Sequence, residues 1–132
     1  MEFKPKIIIV DDHPLFREGL KLLIEMEGLG QVIAAAENGQ VFLDLLKVMD
    51  PDLVLMDIEM PVMDGIEAVT IAKEIYPDVH FLMLTVFDDD EKLFEAIKAG
   101  ASGYLLKDEK VANIVMAITE IIYEGGYLCR PE

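Results

Sequence analysis

Leu53-Val54-Leu55-Met56-Asp57, followed by Ile58-Glu59-Met60-Pro61-Val62-Met63-Asp64-Gly65, is the stretch on which the fold turns. A run of apolar residues that ends in an aspartate, and then meets a turn carrying proline and glycine, reads as a buried strand. It delivers one carboxylate to its C-terminal edge. Burying that charge costs several kcal/mol unless it is paired, solvated or metal-bound. Taken alone, the segment leaves open whether Asp57 merely opens a turn or belongs to a site, so the other strands must decide.

Upstream, Lys6-Ile7-Ile8-Ile9-Val10 is a β-branched run stopping at Asp11-Asp12-His13, a second strand ending in carboxylates. Pro14 suits the first turn of a helix with an apolar stripe at Phe16, Leu20, Leu23 and Ile24, stopped by Gly28 and Gly30. Gln31 to Ala36 is a short strand. Asn38 then caps a helix with apolar positions Val41, Phe42, Leu45, Leu46 and Met49, which Asp50-Pro51 ends.

Downstream, Ile66, Val69, Ile71, Ala72 and Ile75 predict a third helix, closed by Tyr76-Pro77-Asp78. His80 to Thr85 is a strand ending in a hydroxyl. Phe87 and the acidic run Asp88 to Glu91 lead into a helix through Leu93, Phe94, Ala96 and Ile97, stopped at Gly100. Gly103-Tyr104-Leu105-Leu106-Lys107 is the last strand, and Val111, Ile114, Val115, Ile118, Ile121 and Ile122 line the last helix; Ile114, Ile118 and Ile121 are assigned to the core. Strict alternation of this kind implies an α/β fold: a parallel sheet, right-handed crossovers and helices on both faces. Ligands gather outside the C-terminal strand edge of such sheets. Asp11, Asp12, Asp57, Thr85 and Lys107 therefore converge.

Composition bounds what they can do. The chain of 132 residues, 53% hydrophobic and 28% charged, suits one globular domain with a proper core. A net charge of −15 argues against this chain gripping a phosphate backbone itself. The single cysteine, Cys129, excludes an internal disulfide framework and is read as incidental. No apolar run approaches the length of a membrane span or a secretory core, so no membrane partner is expected and the cytoplasm is the expected location.

Three carboxylates beside one lysine penalise mutual ionisation, which a divalent cation would relieve. Hard oxygen donors point to Mg2+, with Mn2+ as a substitute, and the absence of a Cys/His cluster counts against zinc. His13 is read as a turn residue rather than a ligand, and His80 as structural or exposed at the opposite end. Such a set is equipped for phosphoryl transfer. Asp57 is the expected nucleophile. Asp12 would hold the metal with Asp11 in support and the backbone carbonyl of Glu59 as a further ligand, while Lys107 and Thr85 would contact phosphoryl oxygens. No residue is placed as a strong base for hydrolysis, which suggests a phosphorylated state that lasts and not an enzyme of rapid turnover.

The segments Val10 to Gly19, Met56 to Gly65, Leu84-Thr85 and Lys98 to Lys107 together resemble the receiver domain of two-component response regulators, over essentially the whole chain. The resemblance implies a flavodoxin-like, CheY-like (βα)5 sandwich with sheet order 2-1-3-4-5. It implies a histidine kinase as phosphodonor to Asp57 and a phosphorylation-activated switch in which Thr85 moves toward the phosphate and Tyr104 turns inward. The output face would be the fourth helix, fifth strand and fifth helix, with dimerisation left open. The Asp11-Asp12-His13-Pro14 opening and Gly103 to Lys107 are similar to the subfamily carrying a LuxR/NarL-type helix-turn-helix, through which transcription would be controlled. On that basis residues 1–124 are the receiver and 125–132 the start of a linker to an output domain that binds DNA; a stand-alone receiver acting by protein-protein interaction is the alternative.

Some positions depart from the common receiver pattern. Asp108 stands where many receivers have proline, and Val86 where a smaller residue is frequent, which would hinder the movement coupled to Tyr104. Glu59 and Phe87 are expected to flank the phosphate and to tune its lifetime. A haloacid dehalogenase-type phosphatase would want an Asp-x-Asp motif after its first strand, and a flavodoxin a loop that welcomes phosphate; neither fits Asp11-Asp12. Keeping all the expected site groups argues against a degenerate receiver that only binds partners.

Overall fold

A computed structural model describes residues 4–124; the expected linker at 125–132, with Cys129, lies outside the described residues. Strands β1 (Lys6–Val10), β2 (Gln31–Ala36), β3 (Leu53–Asp57), β4 (His80–Thr85) and β5 (Gly103–Leu106) alternate with helices α1 (Pro14–Met26), α2 (Gly39–Leu46), α3 (Gly65–Ile75), α4 (Asp90–Ala99) and α5 (Val111–Glu124). All strand pairs are parallel and the sheet order is β2-β1-β3-β4-β5, as expected. The strand order reverses beside β1 and β3, so the crevice there is the natural place for a site.

Side-chain alternation along β1, β3 and β4 splits the core into two layers. Ile8, Val10, Val54, Met56, Phe81 and Met83 face α2, α3 and α4, with Phe42 and Phe81 edge-on at 5.9 Å. Ile7, Ile9, Leu53, Leu55, Leu82 and Leu84 face α1 and α5. Each fully buried side chain of this size contributes about 1.5–3 kcal/mol of transfer free energy. The sheet is thus fixed on both sides.

The caps follow the sequence signals. Asn38 accepts a hydrogen bond from Val41 N at 2.9 Å, Asp64 from Glu67 N at 2.8 Å, and Asp89 from Glu91 N at 2.9 Å. Gly100 ends α4 at φ 110°, a conformation a side chain would strain. Three elements differ from expectation. Helix α2 stops at Leu46, because Lys47 and Val48 donate to carbonyls only three residues back and tighten the last turn, leaving Met49 outside it. Lys107 lies just past β5, where its N–H still donates to the Thr85 carbonyl at 2.7 Å. Ile75, Phe94 and Val111 are exposed, and the helix faces against the sheet are filled by Ala72 and Ala96 of the expected stripes together with Ala68 and Ala117. The core assignment of Ile114, Ile118 and Ile121 agrees with their burial.

Candidate functional site

In-register pairing sets the strand ends side by side: Val10 opposite Met56, Asp57 opposite Leu84, and Thr85 opposite Leu106. The next backbone bonds extend the alignment beyond the sheet. Asp11 N donates to the Ala36 carbonyl, Ile58 N to the Leu84 carbonyl and Lys107 N to the Thr85 carbonyl. Asp11, Asp12, Asp57, Thr85 and Lys107 are brought to one edge.

The Lys107 ammonium stands between two buried carboxylates, 2.7 Å from Asp11 Oδ2 and 3.3 Å from Asp57 Oδ2. Asp11 and Asp57 are 1% and 3% exposed, so both charges have left bulk water. One ammonium is too little for them. Asp11 Oδ2, Asp12 Oδ1 and Asp57 Oδ2 are buried without an aligned hydrogen-bond donor, which native interiors rarely tolerate. Burial first, then the charge of Asp11, push the Asp57 carboxyl up to about 6, against the pull of Lys107. Carboxylate oxygens of Asp11, Asp12 and Asp57 and a ring nitrogen of His13 all lie within 4.8 Å of one another. Crowded, under-satisfied oxygens of this kind fit a hard divalent cation.

The backbone around Asp57 is close-set. Gly65 N donates to the Ile58 carbonyl at 2.9 Å, and a Cβ on Gly65 would collide with the Asp57 carbonyl oxygen. Only glycine permits that approach. Between them, Met63 N donates to the Pro61 carbonyl at 2.7 Å across Val62, which is held at φ 70°.

The remaining residues form an outer layer. Thr85 is fully buried and its Oγ1 accepts from Phe87 N at 3.1 Å. Tyr104, half-buried, donates its hydroxyl proton to the Phe87 carbonyl at 3.3 Å. Burial and then the acidic cluster of Asp89, Asp88, Asp90 and Glu59 hold the Tyr104 phenol above its ordinary pKa. Val86 and Phe87 are exposed, and Val86 lines a cavity of about 890 Å³ together with residues of α1 and α5. Glu59 is exposed and its Oε2 lies 3.6 Å from Lys92 Nζ.

Three neighbours join the site: Phe16, expected only on the helix stripe, His13, expected as a turn residue, and Arg17, for which no role was expected. Arg17 Nη1 donates to the Asp11 carbonyl at 2.6 Å, the Phe16 ring lies 4.7 Å from Lys107 Nζ, and His13 turns its ring back onto Asp11 and Asp12. The signal for Arg17 and Phe16 was their place on the first turn of α1, directly above the β1 edge. His80 sits at the far edge as expected, half-buried with Nδ1 2.9 Å from Ser102 Oγ, and burial followed by Lys73 lowers its pKa. The Lys107-Asp108 peptide is trans, since no cis bond occurs among the described residues. None of the described helices is long and apolar enough to cross a membrane.

Comparison with known proteins agrees with this architecture. Residues 7–119 match the response regulator receiver domain. The transcriptional regulatory protein DegU of Brevibacillus brevis is 40% identical over 131 residues, covering 99% of this chain and 55% of that protein. LnrK of Bacillus subtilis, also a transcriptional regulatory protein, is 45% identical over 127 residues, 96% of this chain and 57% of the relative. The chain thus spans about half the length of these curated relatives. The signal receiver domain of the putative response regulator NarL from Mycobacterium tuberculosis superposes with a TM-score of 0.88 at 32% identity, covering 93% of this chain and 99% of that one. With the family match spanning most of its length and the strand-edge carboxylates in place, the chain belongs to the receiver domains of two-component response regulators.

Proposed function

We propose that Asp57 is the phosphoryl acceptor of a switch that takes its phosphate from a sensor histidine kinase with Mg2+. The observation that carries this reading is the pairing of a buried, under-satisfied Asp57 carboxylate with the Lys107 ammonium at 3.3 Å. In the transfer, an Asp57 carboxylate oxygen attacks phosphorus, an O–P bond forms, and the bond to the donor breaks with its electron pair leaving on the donor. Lys107, 3.3 Å from Asp57 Oδ2, would follow negative charge onto a phosphoryl oxygen. Asp12, Asp57 and the Glu59 carbonyl would hold the cation, Asp11 supporting them. When bound, it would neutralise charge on the carboxylates and on the phosphoryl oxygens.

Thr85 and Tyr104 have a common anchor, because both bond to the backbone of Phe87. Drawing the Thr85 hydroxyl toward a phosphate would cost its bond from Phe87 N and free that loop. Tyr104 would be released with it, which is how a charge added at Asp57 reaches the surface of α4, β5 and α5. The readout in the parent protein would be transcription, through a DNA-binding domain of the kind expected from DegU and LnrK, both transcriptional regulators. The test is uptake of phosphate from acetyl phosphate by the 132-residue chain. It is expected to require Mg2+ and to vanish in Asp57→Asn; uptake surviving that substitution removes Asp57 from the role.

A further inference from the structure

The cation site proposed above, on which this inference rests, has a neighbour that a pure oxygen site would not need. His13 Nδ1 lies 3.2 Å from Asp11 Oδ1 and 3.3 Å from Asp12 Oδ1. Adjacent donors around an octahedral ion at roughly 2.1 Å stand about 3 Å apart and opposite ones about 4.2 Å. The Asp11, Asp12, His13 and Asp57 donor atoms all lie within 4.8 Å of one another, so a cation would need to draw them in by only a few tenths of an ångström.

The ring has no capping duty that would hold it away from the site. His13 occupies the N-cap position of α1 yet its side chain makes no capping bond, and it is 64% exposed at the mouth of the site. Its Nδ1 is also 3.4 Å from Lys107 Nζ. The carboxylate oxygens accept from a protonated Nδ1 and the ammonium donates to a bare one, so Nδ1 can offer its lone pair to a cation in the tautomer with the ring proton on Nε2. An imidazole nitrogen in that tautomer, beside two under-satisfied carboxylates, is a ligand set of mixed character. Carboxylates alone suit Mg2+, while an added imidazole favours first-row divalent ions.

We propose that His13 Nδ1 is a further ligand of the Asp12 and Asp57 cation site, giving it a preference for first-row divalent cations such as Mn2+ over Mg2+. The competing arrangement is a His13 that only hydrogen-bonds to Asp11 and stays outside the coordination shell.

The deciding measurement uses Mn2+ as the probe, bound to the 132-residue chain labelled with 15N at histidine alone and compared with the unlabelled chain by electron spin-echo modulation. The only other histidine, His80, pairs with Leu53 at the opposite edge of the sheet, so the label reports on His13. Labelling is expected to change the nitrogen modulation, and His13→Ala to lower Mn2+ affinity by roughly tenfold while altering Mg2+ affinity far less. Mn2+ binding with modulation unaffected by the label, or an equal loss for both cations in His13→Ala, overturns the ligand assignment and leaves the carboxylate site standing. Absence of binding for either cation, or binding that survives Asp12→Asn with Asp57→Asn, overturns the site itself.

Discussion

Lys107 Nζ stands 4.7 Å from the centroid of the Phe16 ring while facing Asp11 and Asp57, so the ammonium is held by an aromatic surface as well as by charge. Such a contact contributes about 0.5–1 kcal/mol when partly exposed. Phe16→Leu is expected to lower stability by about 1–2 kcal/mol in urea unfolding, and a cycle with Lys107→Met should show coupling of about 0.5–1 kcal/mol. Zero coupling would mean that the ring only packs.

Asp57 provides a test of how much unrelieved charge the fold carries. Its pKa is raised from 3.8 to about 6, so the folded state binds the proton more tightly than the unfolded chain. That contribution to stability is complete below pH 3.8 and is lost as pH rises through 6. Asp57→Asn is therefore expected to raise stability by about 1–2 kcal/mol at pH 7.5, after allowing for screening, and by much less at pH 4. Denaturant unfolding at the two values checks it; a gain of the same size at both contradicts the electrostatic account.

Mg2+ should relieve the same strain. A ligand that binds only the folded state, present at a hundredfold excess over its Kd, stabilises by about 2.7 kcal/mol. Thermal unfolding at pH 7.5 is expected to shift upward with Mg2+, and the shift to shrink at pH 5, where Asp57 is largely protonated. Asp12→Asn should abolish most of it, and an unchanged shift in that variant would place the cation elsewhere.

On the proposed phosphorylation of Asp57, Glu59 and Phe87 would border the route of an attacking water. Lys92, 3.6 Å from Glu59, tempers the acid without burying it. Glu59→Ala and Phe87→Ala are each expected to quicken loss of phosphate several-fold, one by removing repulsion and the other by removing cover. Decay of the radiolabelled phosphoprotein measures this, and unaltered rates reject it.

Val62 is a β-branched residue in left-handed backbone, with its side chain 80% exposed. A positive-φ turn of this kind costs about 1–3 kcal/mol for a β-branched residue, and little packing is lost on replacing an exposed side chain. The Met63 N to Pro61 carbonyl bond closes a γ-turn about Val62 that glycine enters without a Cβ penalty, so Val62→Gly should raise stability by about 1 kcal/mol in urea unfolding without changing phosphate uptake.

The strands were legible because a run such as Ile7 to Val10 or Leu53 to Met56 leaves little choice once both faces are buried. Proline, asparagine and glycine marked the helix ends well, except at α2, where local tightening after Leu46 has no residue signature. The helix faces were less readable. An apolar stripe draws attention to Ile75 and Phe94, which lie exposed, whereas close approach to a sheet selects small residues, and Ala68 and Ala117 look unremarkable in sequence. At the candidate site the strand-end groups were visible from order alone. His13 and Phe16 were not, because their part depends on the direction in which α1 leaves β1, a property of three dimensions.

The bonds from Ile58 N to Leu84 O and from Lys107 N to Thr85 O give the strand edge a mechanical character. Leu84 and Thr85 are adjacent, so the peptide after Asp57 and the one bearing Lys107 hang from neighbouring links of a single chain. The loops leaving β3, β4 and β5 consequently lack independent freedom at their roots. A tug on one either snaps a backbone bond or drags its companions, so this edge responds in one collective mode.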